Sequence, residues 1–275
     1  MPYETIEVTR LTPHIGAEIA GVDLSRPLGN RQFQEVHDAL MENLVVFFRD
    51  QRLTTDQQKD FARHFGKLAV HPVAPREGAD PEVTMIHAHA NSKHVAGEDW
   101  HTDMSFTAVP PMGSILYLTE LPPVGGDTLF ASMYAAYDRL SEPMKKFLAG
   151  LTAIHDGEPT FGARGLVPRH GDRFAQTAHP IVRTHPVTGR KLLYVNQEFT
   201  TRIDGLGKAE SDAILQLLFR HIETPELQCR FRWRKNSVAF WDNRCAQHHA
   251  VWDYYPQRRH GTRVTIEDDR VQHRA

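Results

Sequence analysis

Cysteine is nearly absent: the 275 residues contain two, Cys229 and Cys245. They fall in no metal-type spacing and cannot build a disulfide framework, which excludes a stapled secreted scaffold. No apolar run approaches the roughly 20 residues needed to span a bilayer. Charge of one sign is lacking too, with 32 Lys and Arg against 34 Asp and Glu. With no basic stripe or nucleic-acid motif either, no nucleic-acid partner is expected. The start, Met1-Pro2-Tyr3-Glu4, has no basic region leading into an apolar stretch; the expectation is a cytoplasmic protein without a membrane partner. There is neither a Gly-x-Ser-x-Gly elbow nor a phosphate loop, which argues against a serine hydrolase or a nucleotide enzyme.

Histidine, by contrast, is plentiful, at 17. The informative pattern is Trp100-His101-Thr102-Asp103-Met104-Ser105-Phe106, with His248 far downstream. Two histidines and one carboxylate on one side of a metal leave three coordination positions open, the arrangement of non-haem Fe(II) oxygenases. The aromatic and hydroxyl-bearing flanks predict a strand, on which His101 and Asp103, two apart, face the same way. A His-x-Asp triplet also arises by chance. His170-Gly171-Asp172 lies in a Gly, Pro and Arg stretch that reads as solvated loop, and His221-Ile222-Glu223 falls late in a helix, where the spacing fails.

At 40% hydrophobic residues the chain can bury a sizeable core. Phe33, Val36, Leu40 and Leu44 predict a helix over Asn30 to Asn43, followed by a buried strand, Leu44 to Phe48. Thr54 caps a helix that stops at Gly66. Strands are expected at Gly113 to Leu118, after the turn Pro122 to Asp127 at Thr128 to Phe130, and at Ile181 to Thr184, Lys191 to Asn196, Ser237 to Trp241 and Arg263 to Glu267. Met133 to Leu151 predicts a helix pair broken near Pro143, and Ala209 to Glu223 another helix. Asp156 to Gln176, irregular and rich in glycine and charge, is expected to be a mobile lid. Many short strands with a few helices point to a double-sheet β-barrel of the jelly-roll kind, decorated by helices.

The chain resembles the taurine dioxygenase family of Fe(II)/2-oxoglutarate-dependent oxygenases, a group that includes phenoxyalkanoate dioxygenases and alkylsulfatases. The likeness runs from Gly16-Ala17-Glu18-Ile19-Ala20-Gly21-Val22-Asp23-Leu24 to Arg263. It is strongest at Trp100-His101-Thr102-Asp103, Gly125-Gly126-Asp127-Thr128, Arg183-Thr184-His185-Pro186 and Trp241-Asp242-Asn243-Arg244, with His248 and Arg259 as the last landmarks. The resemblance implies a double-stranded β-helix over one catalytic domain, residues 1–275, acting as a homo-oligomer on a small anion. It implies Fe(II) held by His101, Asp103 and His248, with 2-oxoglutarate and O2 as cosubstrates. Thr128 and Arg259 match the 2-oxoglutarate positions, where a rigid guanidinium fork suits a carboxylate. His71 and Arg263 match the positions that bind sulfonate, and Phe199 an apolar pocket residue.

Two departures argue against taurine itself. Ala74 stands in place of a tyrosine that helps hold the sulfonate, and Gly97 in place of an asparagine near the substrate amine. A roomier, more apolar pocket is expected, suited to larger sulfonates, sulfate esters or aryloxyalkanoates. Hydroxylation beside the heteroatom, with succinate and CO2 released from 2-oxoglutarate, is the implied reaction. A zinc hydrolase at the same His/Asp site and a non-catalytic jelly-roll binding protein are the alternatives. Arg259 with Thr128 speaks against the hydrolase, which has no evident use for them.

Overall fold

The computed structural model describes residues 3–74 and 78–268. The chain opens with β1 (Glu7–Arg10), β2 (Ala17–Ala20), α1 (Asn30–Asn43), β3 (Val45–Phe48), α2 (Thr55–Arg63) and β4 (Val83–Ala88). The middle holds β5 (Gly113–Glu120), β6 (Thr128–Ser132), α3 (Met133–Asp138), α4 (Glu142–Leu148), β7 (Thr152–Asp156) and β8 (Gln176–Pro180). Next come β9 (Val182–Thr184), β10 (Lys191–Leu193), β11 (Thr200–Ile203) and α5 (Lys208–Ile222). The last strands are β12 (Gln228–Phe231), β13 (Ser237–Asp242), β14 (Ala246–Ala250) and β15 (Arg259–Ile266). The fold is mainly β.

The largest sheet has seven strands, ordered β1-β2-β3-β13-β5-β15-β4; a three-stranded sheet, β12-β6-β14, faces it, and β11-β7-β8 and the pair β10-β9 form the other two sheets. Period-2 alternation divides the larger sheet's side chains between two cores. On β13, Val238 and Phe240 join Phe48, Phe61 and Ile266 in the cluster toward α1 and α2. Ala239 and Trp241 join Phe47, Phe130 and Phe231 in the cluster between the sheets. Phe47 and Phe231 stack across that gap with ring centroids 3.8 Å apart. Because β13 is buried on both faces, it reads in the sequence as a continuous apolar run.

Helix α2 starts as the sequence predicts, with Thr54 and Gln57 forming a reciprocal capping box. It carries Gln58 into the core, where its amide donates to Ile115 O and Thr262 O and ties β5 to β15. Ser141 caps α4 and makes the break expected near Pro143. Asp156 to Gln176 is irregular apart from a π-helical turn at Glu158–Gly162, and its two end residues belong to β7 and β8.

Two expectations are corrected. Trp100 to Phe106 is not a strand: His101 makes an isolated bridge to His248, and residues 103–106 turn back. The reason is local, since Asp103 N–H donates to Asn243 Oδ1 rather than to a neighbouring strand, and Met104 takes a positive φ of 51°. The closing strand begins at Arg259, four residues before the expected Arg263.

Candidate metal centre and adjoining pocket

His101, Asp103 and His248 converge between the two sheets, each offering one ligand atom within 4.8 Å of the others. His101 Nε2 lies 3.6 Å and His248 Nε2 4.0 Å from Asp103 Oδ1. All three are buried, at 4%, 3% and 5% exposure. His248 is the middle residue of β14, and paired backbone bonds fix it against His101: His101 N–H to His248 O at 3.1 Å and the reverse at 2.8 Å. The turn after His101, rather than strand alternation, brings Asp103 back beside both rings.

Neighbours fix each group. Ser114 Oγ donates to Asp103 Oδ2 at 2.7 Å. Asn243 donates to that Ser114 hydroxyl, while its own Oδ1 accepts from Trp241 and from Asp103 N–H. His101 Nδ1 sits 2.8 Å from Asp99 O, so this nitrogen carries the proton and Nε2 is left with its lone pair toward the cluster. Burial keeps the His248 imidazole well below its ordinary range, hence neutral. Burial alone would raise the Asp103 carboxyl, but Arg263 and the two imidazoles hold it well below the usual carboxylate range. Two imidazole nitrogens and one ionised carboxylate oxygen are the donor set that a non-haem Fe(II) takes, so these residues fit it.

Arg259 and Arg263 lie four apart on β15, on the face that looks toward Asp103 and away from α2. Arg259 is 4% exposed, and the hydrogen-bond acceptors of its side chain among the described residues are neutral: Gly126 O at 3.2 Å and Thr128 Oγ1 at 3.3 Å. Trp233 Nε1 also donates to that hydroxyl, at 2.9 Å. A buried cation with no ion pair among the described residues suits an anion from outside. Gly126 allows it: a Cβ there would press to 3.3 Å from Tyr254 and 3.4 Å from Arg259 Cδ, at a φ of +72°.

Arg263 Nη1 donates to Asp103 Oδ1 at 2.8 Å, while its Nε is buried without a hydrogen-bond partner among the described residues. It opens onto a cavity of about 360 Å³ that His101, Asp103, His71 and Phe199 also line. His71 Nδ1 accepts from Val73 N–H, which leaves Nε2 as the donor. Burial and the charge of Arg263 lower its pKa to about 4. Gly97 lines the cavity with a φ of +80°, and a Cβ there would come within 2.8 Å of the His101 ring. The sequence therefore has a packing reason for glycine at this position.

Ala74 is the expected pocket residue that the structure does not bring in. It is exposed, its N–H is bonded to Val167 O, and it is absent from the cavity's described lining. Nor is the lining simply apolar, because Glu198, Arg164 and His94 contribute to it. Ser114, Asn243, Trp233 and Glu198 were missed as site residues. Only Asn243 stood in a quoted motif, and no sequence signal marks the others. His170 and Asp172 are exposed, as expected, and His221 is held by Ala136 O. Both cysteines are free and buried.

Known proteins resemble the chain along nearly its whole length. The chain is 35% identical to an alkylsulfatase of Acinetobacter baylyi, over 96% of this chain and 86% of that protein. It is 34% identical to an alpha-ketoglutarate-dependent sulfate ester dioxygenase of Pseudomonas putida, over 95% and 89%. A crystal structure of a taurine dioxygenase from Burkholderia xenovorans superposes with a TM-score of 0.84 at 37% identity, covering 97% of this chain and 92% of that one. The model of the taurine catabolism dioxygenase TauD, TfdA family matches residues 7–265, and the chain belongs to that family.

Proposed function

We propose that this enzyme hydroxylates a small organic anion at a carbon next to a heteroatom. The substrate would be a sulfonate, a sulfate ester or an aryloxyalkanoate larger than taurine. The observation that carries this reading is the juxtaposition of the buried His101, Asp103 and His248 cluster with a buried Arg259 that lacks a carboxylate partner. The enzyme is a 2-oxoglutarate-dependent non-haem iron dioxygenase. When bound, Fe(II) with 2-oxoglutarate and O2 supplies the oxidising chemistry, releasing succinate and CO2.

The chain's own groups do the rest. His101, Asp103 and His248 would hold the iron, and Ser114 and Asn243 keep the Asp103 carboxylate turned toward it. Arg259 and Thr128 would take the distal carboxylate of 2-oxoglutarate. The unpartnered Arg263 Nε and His71 Nε2 would hold the substrate's acid group, with Phe199 against its apolar body. Gly97 leaves the approach to His101 open, and Ala74 stands outside the cavity. The hydroxylated carbon then sheds its heteroatom group as sulfite, sulfate or a phenol, leaving a carbonyl product. A volume of about 360 Å³ lies within the roughly 300–1,000 Å³ of small-molecule sites and favours a body longer than taurine's two carbons.

In this reading the two sheets form a jelly roll, a double-stranded β-helix, that acts as one catalytic domain. The Asp156 to Gln176 segment, whose Phe161 and Arg164 line the cavity, is its lid. Cytoplasmic location and homo-oligomeric assembly complete the proposal; no helix among the described residues is long and apolar enough to cross a membrane. Competition among sulfonates, sulfate esters and phenoxyalkanoates, scored by kcat/KM, tests it. Larger anions outperform taurine if it holds, and taurine winning would refute the pocket assignment.

A further inference from the structure

Glu198 lines the cavity and has no part in the reaction just described. Its backbone is fixed on both sides, the N–H donating to Trp100 O and the carbonyl accepting from Thr160. Its side chain is 5% exposed, yet its carboxylate accepts no hydrogen bond among the described residues, and Oε2 is fully buried. His101 Nδ1 lies 3.2 Å away, but that nitrogen already faces Asp99 O at 2.8 Å, so the ring is oriented without Glu198. Arg164, the nearby cavity cation, is engaged by Glu98 at 3.2 Å. A buried carboxylate stripped of donors is costly unless a partner arrives.

We infer that Glu198 is a specificity-determining residue that receives a hydrogen-bond-donating group, ammonium or hydroxyl, of the substrate. On the anion-binding reading above, the substrate then carries an acid group at one end, held by Arg263 and His71, and a donor group elsewhere on its body. No side chain at position 97 can serve that donor, because a Cβ there would collide with His101. Glu198 supplies an acceptor from the loop leading into β11 instead.

Matched linear alkanesulfonates of three to six carbons, plain or bearing a terminal ammonium or hydroxyl, provide the test. They are titrated into the full chain by calorimetry and turned over with Fe(II), 2-oxoglutarate and O2. At the favoured length the donor-bearing member binds about tenfold or more tighter than its plain counterpart. Glu198→Leu abolishes that preference while the protein still takes up Fe(II); Glu198→Gln removes it for the ammonium series. The same preference in the wild type and Glu198→Leu, or no preference in either, overturns the assignment. So does a Glu198→Gln protein with weakened Fe(II) binding and equally slowed turnover of every substrate, which would make Glu198 a support for His101. If no sulfonate binds or turns over, the anion-binding reading falls, and this assignment with it.

Discussion

Asp103 does more at its position than either histidine. It offers the negative charge, pairs with Arg263 and is fixed from behind by Ser114. Asp103→Ala is expected to abolish succinate release while far-UV circular dichroism stays native; an unimpaired variant would end the metal assignment. In the proposed function the two arginines of β15 divide the ligands between them. Arg259→Ala raises the 2-oxoglutarate concentration needed for half-maximal rate, and Arg263→Ala the substrate concentration. Each loss is about 2–5 kcal/mol, the cost of truncating a buried charge-assisted contact. Equal effects of both changes on both ligands, in initial-rate kinetics, would refute the division. These residues were legible because the His-x-Asp spacing and the ordered motifs name them. Ser114 and Asn243 were not, because their roles exist only where β5 and the end of β13 meet the turn after His101.

At the scale of elements, the end of β13 is held by a buried charged group. Asp242 accepts from the Arg244 guanidinium and lies 3.1 Å from His185 Nε2, all buried. Burial would raise its carboxyl, but Arg244 and His185 hold it well below the ordinary range. Asp242→Asn is therefore expected to cost about 3–5 kcal/mol in urea unfolding at pH 7, since it strands two buried groups. A lowered folded pKa gives stability that is present above the unfolded value and lost on acidification. The gap between variant and wild type should thus narrow below about pH 4. The lid makes a separate prediction: amides of residues 158–166 exchange more slowly once an anionic substrate is bound, and unchanged exchange would rule the lid out. Helices α1, α2 and α5 and strands β3 and β13 were legible from periodicity or an unbroken apolar run. Strand β14, Ala246-Gln247-His248-His249-Ala250, was not: it carries the ligand and shows neither pattern.

For the whole molecule, the seven-stranded sheet and the β12-β6-β14 sheet leave a gap where β14, β15 and the turn after His101 meet, and His101, Asp103, His248 and Arg263 converge there. Topology of this kind joins residues more than a hundred positions apart, which periodicity alone does not encode; the ordered family motifs did. The account's central claim is that this gap runs iron- and 2-oxoglutarate-dependent oxidation. Succinate and oxidised product, counted together with a long-chain sulfonate or sulfate ester, test that claim most directly. One succinate per product with Fe(II) and O2, and neither with Zn(II) or without O2, is the predicted result. Product formed with Zn(II), or in the absence of 2-oxoglutarate, would contradict it.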